Sequence, residues 1–354
     1  MDEQTACIAL SRTKGLNNFQ RRGIAAAYGE IGPLFEGKAK HYNKDFMAPI
    51  LSFRDWKGIE GDLKALEKMG ASVLTIKDGE YPQLLRNIPD APVVLYRKGL
   101  LPPGTNTLAV VGSRKASFEG MNLAEKIAET LSAAGITIVS GLARGIDSAA
   151  HKGALKGEGK TIGVLGCGID ICYPAENKRL FERMGDEAAV LTEYMPGERP
   201  LQFHFPERNR IIAGLSRGVL VIEASQKSGS LITARLGLEY GREVMAIPGN
   251  VFNEEYRGAN RLIKEGARLV DGIGDIVATC FPGVALARKE NVELDGNEKY
   301  IYALVGFQKV HIDEVIEKSK MEAKQVMAVL TRLEMKETIR QLPGGFYIKA
   351  AHGS

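Results

Sequence analysis

From Thr107 to about Cys280, short apolar runs alternate with segments of helical period. TLAVVG precedes FEGMNLAEKIAETLSAAG, ITIVSG precedes GIDSAAHKGALKG, and TIGVLGCG precedes ENKRLFERMG. The alternation continues through AAVLTEY, ERNRIIAGLS, GVLVIEA, SGSLITARLGLEYG and EVMAIPG. Runs that are apolar at successive positions suit strands buried on both faces, and strands separated by helices pair in parallel. The pattern predicts an α/β fold with a doubly wound parallel sheet.

The flanks read differently. Residues 1–80 carry mostly helical signals, such as GIAAAYGEIGPLF and GDLKALEKMGASV, and predict a small helical domain. Asp90–Gly104 is rich in Pro and Gly, which suits an extended lead-in with one edge strand. After Pro282 the charged stretch ARKENVELDGNEK reads as a linker. The tail from near Tyr300 then runs helix, turn, helix, short strand, Pro-Gly-Gly turn, short strand, the order of a winged helix. In its second helix, Glu322 to Met335, the apolar residues Val326, Met327, Val329, Leu330 and Leu333 are expected to form core. The resulting division is 1–80, 81–285 and 286–354.

Composition narrows the class without fixing a ligand. A chain of 354 residues exceeds the usual domain of roughly 100–150 residues, so two or three domains are expected. With 44% hydrophobic and 25% charged residues, the composition is that of a folded globular protein. No apolar stretch reaches the roughly 20 residues needed to span a bilayer, and the N-terminus lacks a basic segment followed by an apolar core. A cytoplasmic protein without membrane contact is expected. The 47 Lys and Arg against 43 Asp and Glu leave a formal charge of +4, too mild to define a polyanion binder, so the placement of cations decides. Cys7, Cys167, Cys172 and Cys280 form no C-x-x-C pair and have no His at ligand spacing, so structural thiols and no metal centre are expected.

Three apolar runs end in Gly/Ser turns that carry a cation: Ala109–Arg114 (AVVGSR), Ile138–Gly145 (IVSGLARG) and Val221–Ser230 (VIEASQKSGS). Small residues at such strand ends let backbone N–H groups approach an anion, and the following helix dipole adds positive potential. Gly112, Ser113 and Arg114 make the first turn. Their sequence GSRKAS lacks the G-x-G-x-x-G fingerprint, which argues against the standard NAD mode. Lys227, Ser228, Gly229 and Ser230 form an anion nest that is not a Walker A loop, so ATP with magnesium is not expected.

Two further segments add cations and rings. In GCGIDICYPAENKRL, residues Asn177, Lys178 and Arg179 fall in the first turn of a helix, where a cation is unfavourable unless an anion is bound; Lys178 is therefore a phosphate candidate. FHFPERNRIIAGLS interleaves Phe203 and Phe205 with Arg208, Asn209 and Arg210, the mixture used for single-stranded nucleic acid. The two rings read equally as core. Arg208 and Arg210 straddle Asn209, so only one of them should face a ligand.

Other groups have structural readings beside chemical ones. Asp147 and His151 share a helical face, as a general-base pair or, preferably, as a hydrogen-bonded structural pair. Glu193 and Glu223 at strand ends are expected to pair with arginines rather than to act as acids or bases. Lys14-Gly15-Leu16 with Arg21-Arg22-Gly23 faintly resembles a helix-hairpin-helix phosphate contact, although a capped helix with solvated cations is the simpler reading.

The ordered set GSR, SGLARGID-x-x-AH, GCG-x-D-x-x-YP-x-x-N, FP-x-RNR-x-I-x-G-x-S, KSGSL-x-TA and IPG resembles the DprA (Smf) family of DNA-processing proteins, from Tyr81 to Ala267. The resemblance implies an extended Rossmann-like domain that binds single-stranded DNA, protects incoming DNA in natural transformation and loads the RecA recombinase onto it. It implies no enzyme and no cofactor, a SAM-like helical N-terminal domain, a winged-helix C-terminal domain and a homodimer through the Rossmann-like domain. The family's DNA-contacting arginine and lysine fall on Arg114 and Lys178. Asn177, Arg208, Asn209 and the Lys227–Ser230 loop follow by position in the same pocket.

Two competing readings remain at this level. One is a nucleotide-binding or nucleotide-hydrolysing Rossmann-like enzyme using Asp147, His151, Glu193 and Glu223. The other makes the winged helix the main DNA reader and the central domain a dimerising scaffold.

Overall fold

A computed structural model describes residues 1–38, 44–157, 159–286, 294–306, 308–336 and 338–349. The chain forms one nine-stranded sheet of β1 (Ala71–Thr75), β2 (Val94–Gly99), β3 (Thr107–Val111), β4 (Thr137–Ser140), β5 (Thr161–Val164), β6 (Ala189–Thr192), β7 (Gly218–Val221), β8 (Glu243–Ala246) and β9 (Arg268–Leu269). The predicted apolar runs are β3 to β8; β2 is the strand expected in the lead-in but is paired on both sides rather than at an edge, β1 lies within a segment expected to be helical, and β9 was not expected. Their spatial order is β1-β2-β6-β5-β4-β3-β7-β8-β9. The seven strands from β6 to β9 in this order are parallel, whereas β2 runs antiparallel to both β6 and β1. The sheet thus extends to residue 71, upstream of the division at 80 drawn from the sequence.

Every residue of β3 to β7 is buried, and alternate side chains serve opposite faces. Leu108, Val110, Ile138 and Leu220 pack with α7 (Phe118–Ala133), α8 (Ile146–Lys156) and α13 (Ile273–Cys280) through Ile127, Leu131, Ala150 and Ile276. Ala109, Val111, Val139 and Val219 face the other way. They join a second core with Met184 of α9 (Lys178–Glu187), Ile211 of α10 (His204–Gly214), Ala234 of α11 (Ser230–Glu239) and Leu262 of α12 (Arg257–Lys264). Helices cover both faces, as a doubly wound sheet requires.

Five helices precede the sheet: α1 (Glu3–Arg12), α2 (Asn18–Ala27), α3 (Gly32–Phe35), α4 (Lys44–Leu51) and α5 (Trp56–Lys68); a short α6 (Gln83–Arg86) follows β1. Their apolar faces, including Ile8, Leu10, Ile59 and Leu66, belong to the same core as Leu74 and Leu95 of β1 and β2. Phe35, Phe53 and Trp56 pack edge to face at centroid distances of 4.8 to 5.8 Å. Asn17 caps α2 reciprocally with Gln20. The arginines after it are not solvated, as the capped-helix reading supposed: Arg21 Nη2 donates to the Thr13 carbonyl and Arg22 Nη2 to the Arg86 carbonyl, each at 3.1 Å.

The tail is a winged helix, made of α14 (Gly296–Leu304), β10 (Val310–His311), α15 (Ile312–Ser319), α16 (Ala323–Met335), β11 (Ile339–Leu342) and β12 (Phe346–Lys349). The three strands pair in the order β10-β12-β11. Residues 287–293 of the expected linker lie outside the described residues, and from Gly296 the stretch is already helix. One core expectation fails: Val326, Val329, Leu330 and Leu333 are buried, but Met327 is 56% exposed. The buried set follows i, i+3, i+4, i+7, which turns the neighbouring Met327 outward.

Candidate nucleic-acid interface

β3 and β7 lie side by side, yet β3 leads into α7 on one face and β7 leads towards α11 on the other. Connections that diverge in this way open a crevice at the carboxyl ends of the strands. A cleft of about 510 Å³ occupies this place. Nine of the predicted residues line it: Gly112, Ser113, Arg114, Arg208, Asn209, Lys227, Ser228, Gly229 and Ser230. Asn177 and Lys178 are not among its walls.

The Gly112–Arg114 turn is laced to the end of β7. Ser113 N donates to the Glu223 carbonyl at 2.6 Å, and a Cβ on Gly112 would lie 2.8 Å from that same oxygen, so only glycine fits. The Ser113 hydroxyl accepts from Lys115 N at 3.1 Å and donates to the Glu255 carboxylate at 2.9 Å. Arg114 is exposed and stands over the Phe205 ring with Cζ 5.1 Å from its centroid. The Tyr173 ring continues the series 5.4 Å from Phe205. A smaller cavity of about 50 Å³ adjoins Arg114 and Phe205 and is lined also by Arg144, Tyr173 and Pro174. The sequence left Phe205 undecided between core and ligand; the structure puts it in the wall of both cavities.

Across the cleft Lys227 is exposed at the start of the Lys227–Ser230 loop. The Ser228 and Ser230 hydroxyls bond each other at 2.7 Å, and Asn209 Nδ2 donates to the Gly229 carbonyl at 3.3 Å. α11 begins at Ser230, so its N-terminal dipole opens beside Lys227.

Arg208 plays a different part from the exposed cations. It is buried, with Nη1 donating to the carbonyls of Gly141 at 2.6 Å and of Val164. Burial lowers its pKa, while the nearby Asp147 charge opposes that shift. Burial likewise raises the Asp147 pKa, opposed by Arg208. The guanidinium thus ties the ends of β4 and β5 together beneath the cleft. Arg210 is also buried and bonds Glu193 and the Asp90 carbonyl, so neither arginine of RNR has an exposed guanidinium.

Asn177 is a brace. Its Nδ2 donates to the Leu142 carbonyl at 2.7 Å and to Ser148 Oγ at 2.9 Å, fixing the turn in which Leu142 adopts φ 54°. Lys178, next in the chain, is 73% exposed and lies 3.9 Å from Glu182. The SGLARG turn contributes Ala143 to the cleft wall, while its Arg144 pairs with Glu176.

The groups assigned to a nucleotide enzyme are occupied elsewhere. Asp147 and His151 do not bond each other: Asp147 accepts from Gly141 N at 3.1 Å, and His151 Nδ1 bonds Thr161 Oγ1 at 2.7 Å. Burial lowers the His151 pKa to about 3 and keeps the ring neutral. Glu193 pairs with Arg210 as expected. Glu223 instead accepts from Ser117 N at 3.0 Å and Ser117 Oγ at 3.2 Å, holding the residue whose hydroxyl caps α7, and among the described residues no arginine pairs with it. Burial pushes the Cys167 thiol up to about 12, and Cys172 is raised by the same cause, consistent with structural thiols. Among the described residues no group of three or more His, Cys, Asp or Glu side chains is placed to hold a metal, and no helix is long and apolar enough to cross a membrane.

Lys115 and Glu255 are charged residues of the wall that were absent from the sequence-based set. Lys115 had a signal, since it follows Arg114 in the GSRK turn. Glu255 had none, because it lies 142 residues from its partner Ser113 and outside every motif.

Fold and site together define a doubly wound α/β protein whose switch-point cleft is lined by cations, an aromatic ring and a helix N-terminus. Residues 72–281 match the family described as DNA recombination-mediator protein A, and residues 287–345 match the DprA winged helix domain. The chain belongs to the DprA/Smf family of DNA-processing proteins. DNA processing protein DprA of Streptococcus pneumoniae is 51% identical over 205 residues, 58% of this chain and 72% of that protein. Protein Smf of Synechocystis is 32% identical, with 98% of each chain covered. The X-ray structure of the pneumococcal DprA aligns with a TM-score of 0.65 at 41% identity, over 78% of this chain and 98% of that one. DNA processing protein A of Helicobacter pylori, solved for its single-stranded DNA binding mode, aligns with a TM-score of 0.54 at 27% identity, over 61% of this chain and 97% of that one.

Proposed function

We propose that this chain binds single-stranded DNA in the switch-point cleft, protects incoming DNA in the cytoplasm during natural transformation and loads the RecA recombinase onto it. It acts without catalysis, as a homodimer through the Rossmann-like domain. The observation that carries the reading is the juxtaposition of Arg114, Lys115 and Lys227 with the Phe205 ring in one cleft. Cations follow the phosphates of a single strand and rings stack its bases. The strand path continues past Arg114 along Tyr173 towards Lys178, whose ammonium is an outer phosphate contact. Gly112, Ser113 and the Ser228–Ser230 turn shape the cleft, while Asn177, Arg208 and Asn209 hold its loops. The single-stranded DNA binding of the Helicobacter pylori relative supports the same reading.

Fluorescence anisotropy with labelled single-stranded and double-stranded oligonucleotides tests the proposal. The full chain should bind the single strand more tightly, and Phe205→Ala should weaken it by about 1–3 kcal/mol, the contribution of one stacked base. Equal affinity for both strand forms, or an unaffected Phe205→Ala protein, would overturn it.

A further inference from the structure

The cleft built for a polyanion contains an anion of its own. Glu255 stands in its wall with a carboxylate oxygen 2.9 Å from the Ser113 hydroxyl, beside the Arg114 and Lys115 turn. Among the described residues no ion pair involves Glu255, whereas the adjacent Glu254 pairs with Arg257 at 3.5 Å. What holds Glu255 in place is backbone. Its N–H donates to Asn253 Oδ1 at 3.0 Å, Gly249 and Asn260 bond each other in both directions, and Gly258 N donates to the Ala224 carbonyl at 2.8 Å. The loop is therefore anchored at both ends, and only the side chain is free to leave Ser113.

A carboxylate oxygen and a phosphate oxygen make the same charge-assisted bond to a serine hydroxyl. We propose, on the single-stranded DNA reading above, that Glu255 occupies the place of a strand phosphate at the Gly112–Arg114 turn and is displaced when DNA binds. The residue is a competitor built into the cleft. It lowers the affinity of the cleft for every strand alike and leaves the bound strand exchangeable. A phosphate entering beside an undisplaced carboxylate would meet like charge at close range, an interaction that water and nearby cations reduce without removing.

The test uses the full chain and an oligothymidylate in anisotropy titrations over a range of salt. Glu255→Gln keeps the shape and removes the charge, and should tighten binding about fivefold. The salt slope should stay close to that of the wild type, because the same phosphate contacts form once the carboxylate has left. Glu254→Gln is the control, with the same charge change in the same loop on a residue 80% exposed and paired outside the cleft; it should change affinity little. Thermal melts establish that both variants are folded, and Glu255→Ala replaces the first variant if it is not. Unchanged or weaker binding by the Glu255 variant overturns the proposal, as does equal tightening by Glu254→Gln. A wild-type chain that binds no single strand overturns the underlying DNA reading and this proposal with it.

Discussion

Arginines in this chain divide by burial into those that meet solvent and those that hold the frame. Arg114 is exposed over Phe205, so Arg114→Ala should lower single-strand affinity about tenfold, the usual effect of losing a hydrogen bond to a charged group. Its salt slope should flatten by about 0.7, read in the same titration. Arg208→Ala should behave otherwise. It strips the Gly141 and Val164 carbonyls of their donor and takes from buried Asp147 its largest stabilising charge, which should cost about 3–5 kcal/mol in chemical denaturation. Sequence reading found both residues but not this difference. RNR shows two cations on either side of Asn209, and only the packing of α10 against the sheet decides that both turn inward. The same limit explains Glu255, whose role depends on a contact that no local pattern encodes.

At the level of helices and strands, most of the architecture was legible because buried parallel strands leave an unambiguous apolar signature, as in TLAVV and GVLV. Met327 was misplaced because a run of apolar residues in α16 is wider than the face that packs. Asp147 and His151 share the correct spacing on α8, yet each meets a different partner, Gly141 N for Asp147 and Thr161 for His151. His151 gives this helix a pH dependence. Its folded pKa of about 3 lies below the ordinary value of 6.5, so between those limits the unfolded chain binds the extra proton. Stability is full above about pH 6.5 and is lost as pH falls from there towards 3. Between pH 6.5 and 5 the slope should approach about 1.4 kcal/mol per unit, measured by denaturant titration. His151→Gln should lower stability at pH 7 and flatten that slope.

Across the whole molecule, the cleft draws all its walls from residues 111 to 255, whereas the winged helix lies against α7 and α8 away from it, with Arg340 Nη1 donating to Asn122 Oδ1 of α7 at 3.2 Å. A chain ending at Leu286 should therefore keep its single-strand affinity within about a factor of two in anisotropy, whereas complete loss would return the winged helix to the role of main DNA reader. The helical N-terminus is a different matter. The sequence pattern suggested a separate unit ending at 80, because residues 1–80 read as helical and the start of β1 lay within the stretch GDLKALEKMGASV taken as helix. In the structure β1 pairs along its whole length with β2, from Ala71 opposite Lys98 to Thr75 opposite Val94, while α1 and α5 close over both strands. A fragment starting at residue 81 would begin with a bare strand edge, its unpaired N–H and C=O groups flanked by the apolar Val94, Leu95 and Tyr96. Such an edge recruits other chains, so that fragment should self-associate in light scattering while residues 1–286 stay dispersed. A cut after Leu286 leaves the nine-stranded sheet whole, and the apparent N-terminal domain is the selvedge that keeps the sheet from fraying into its neighbours.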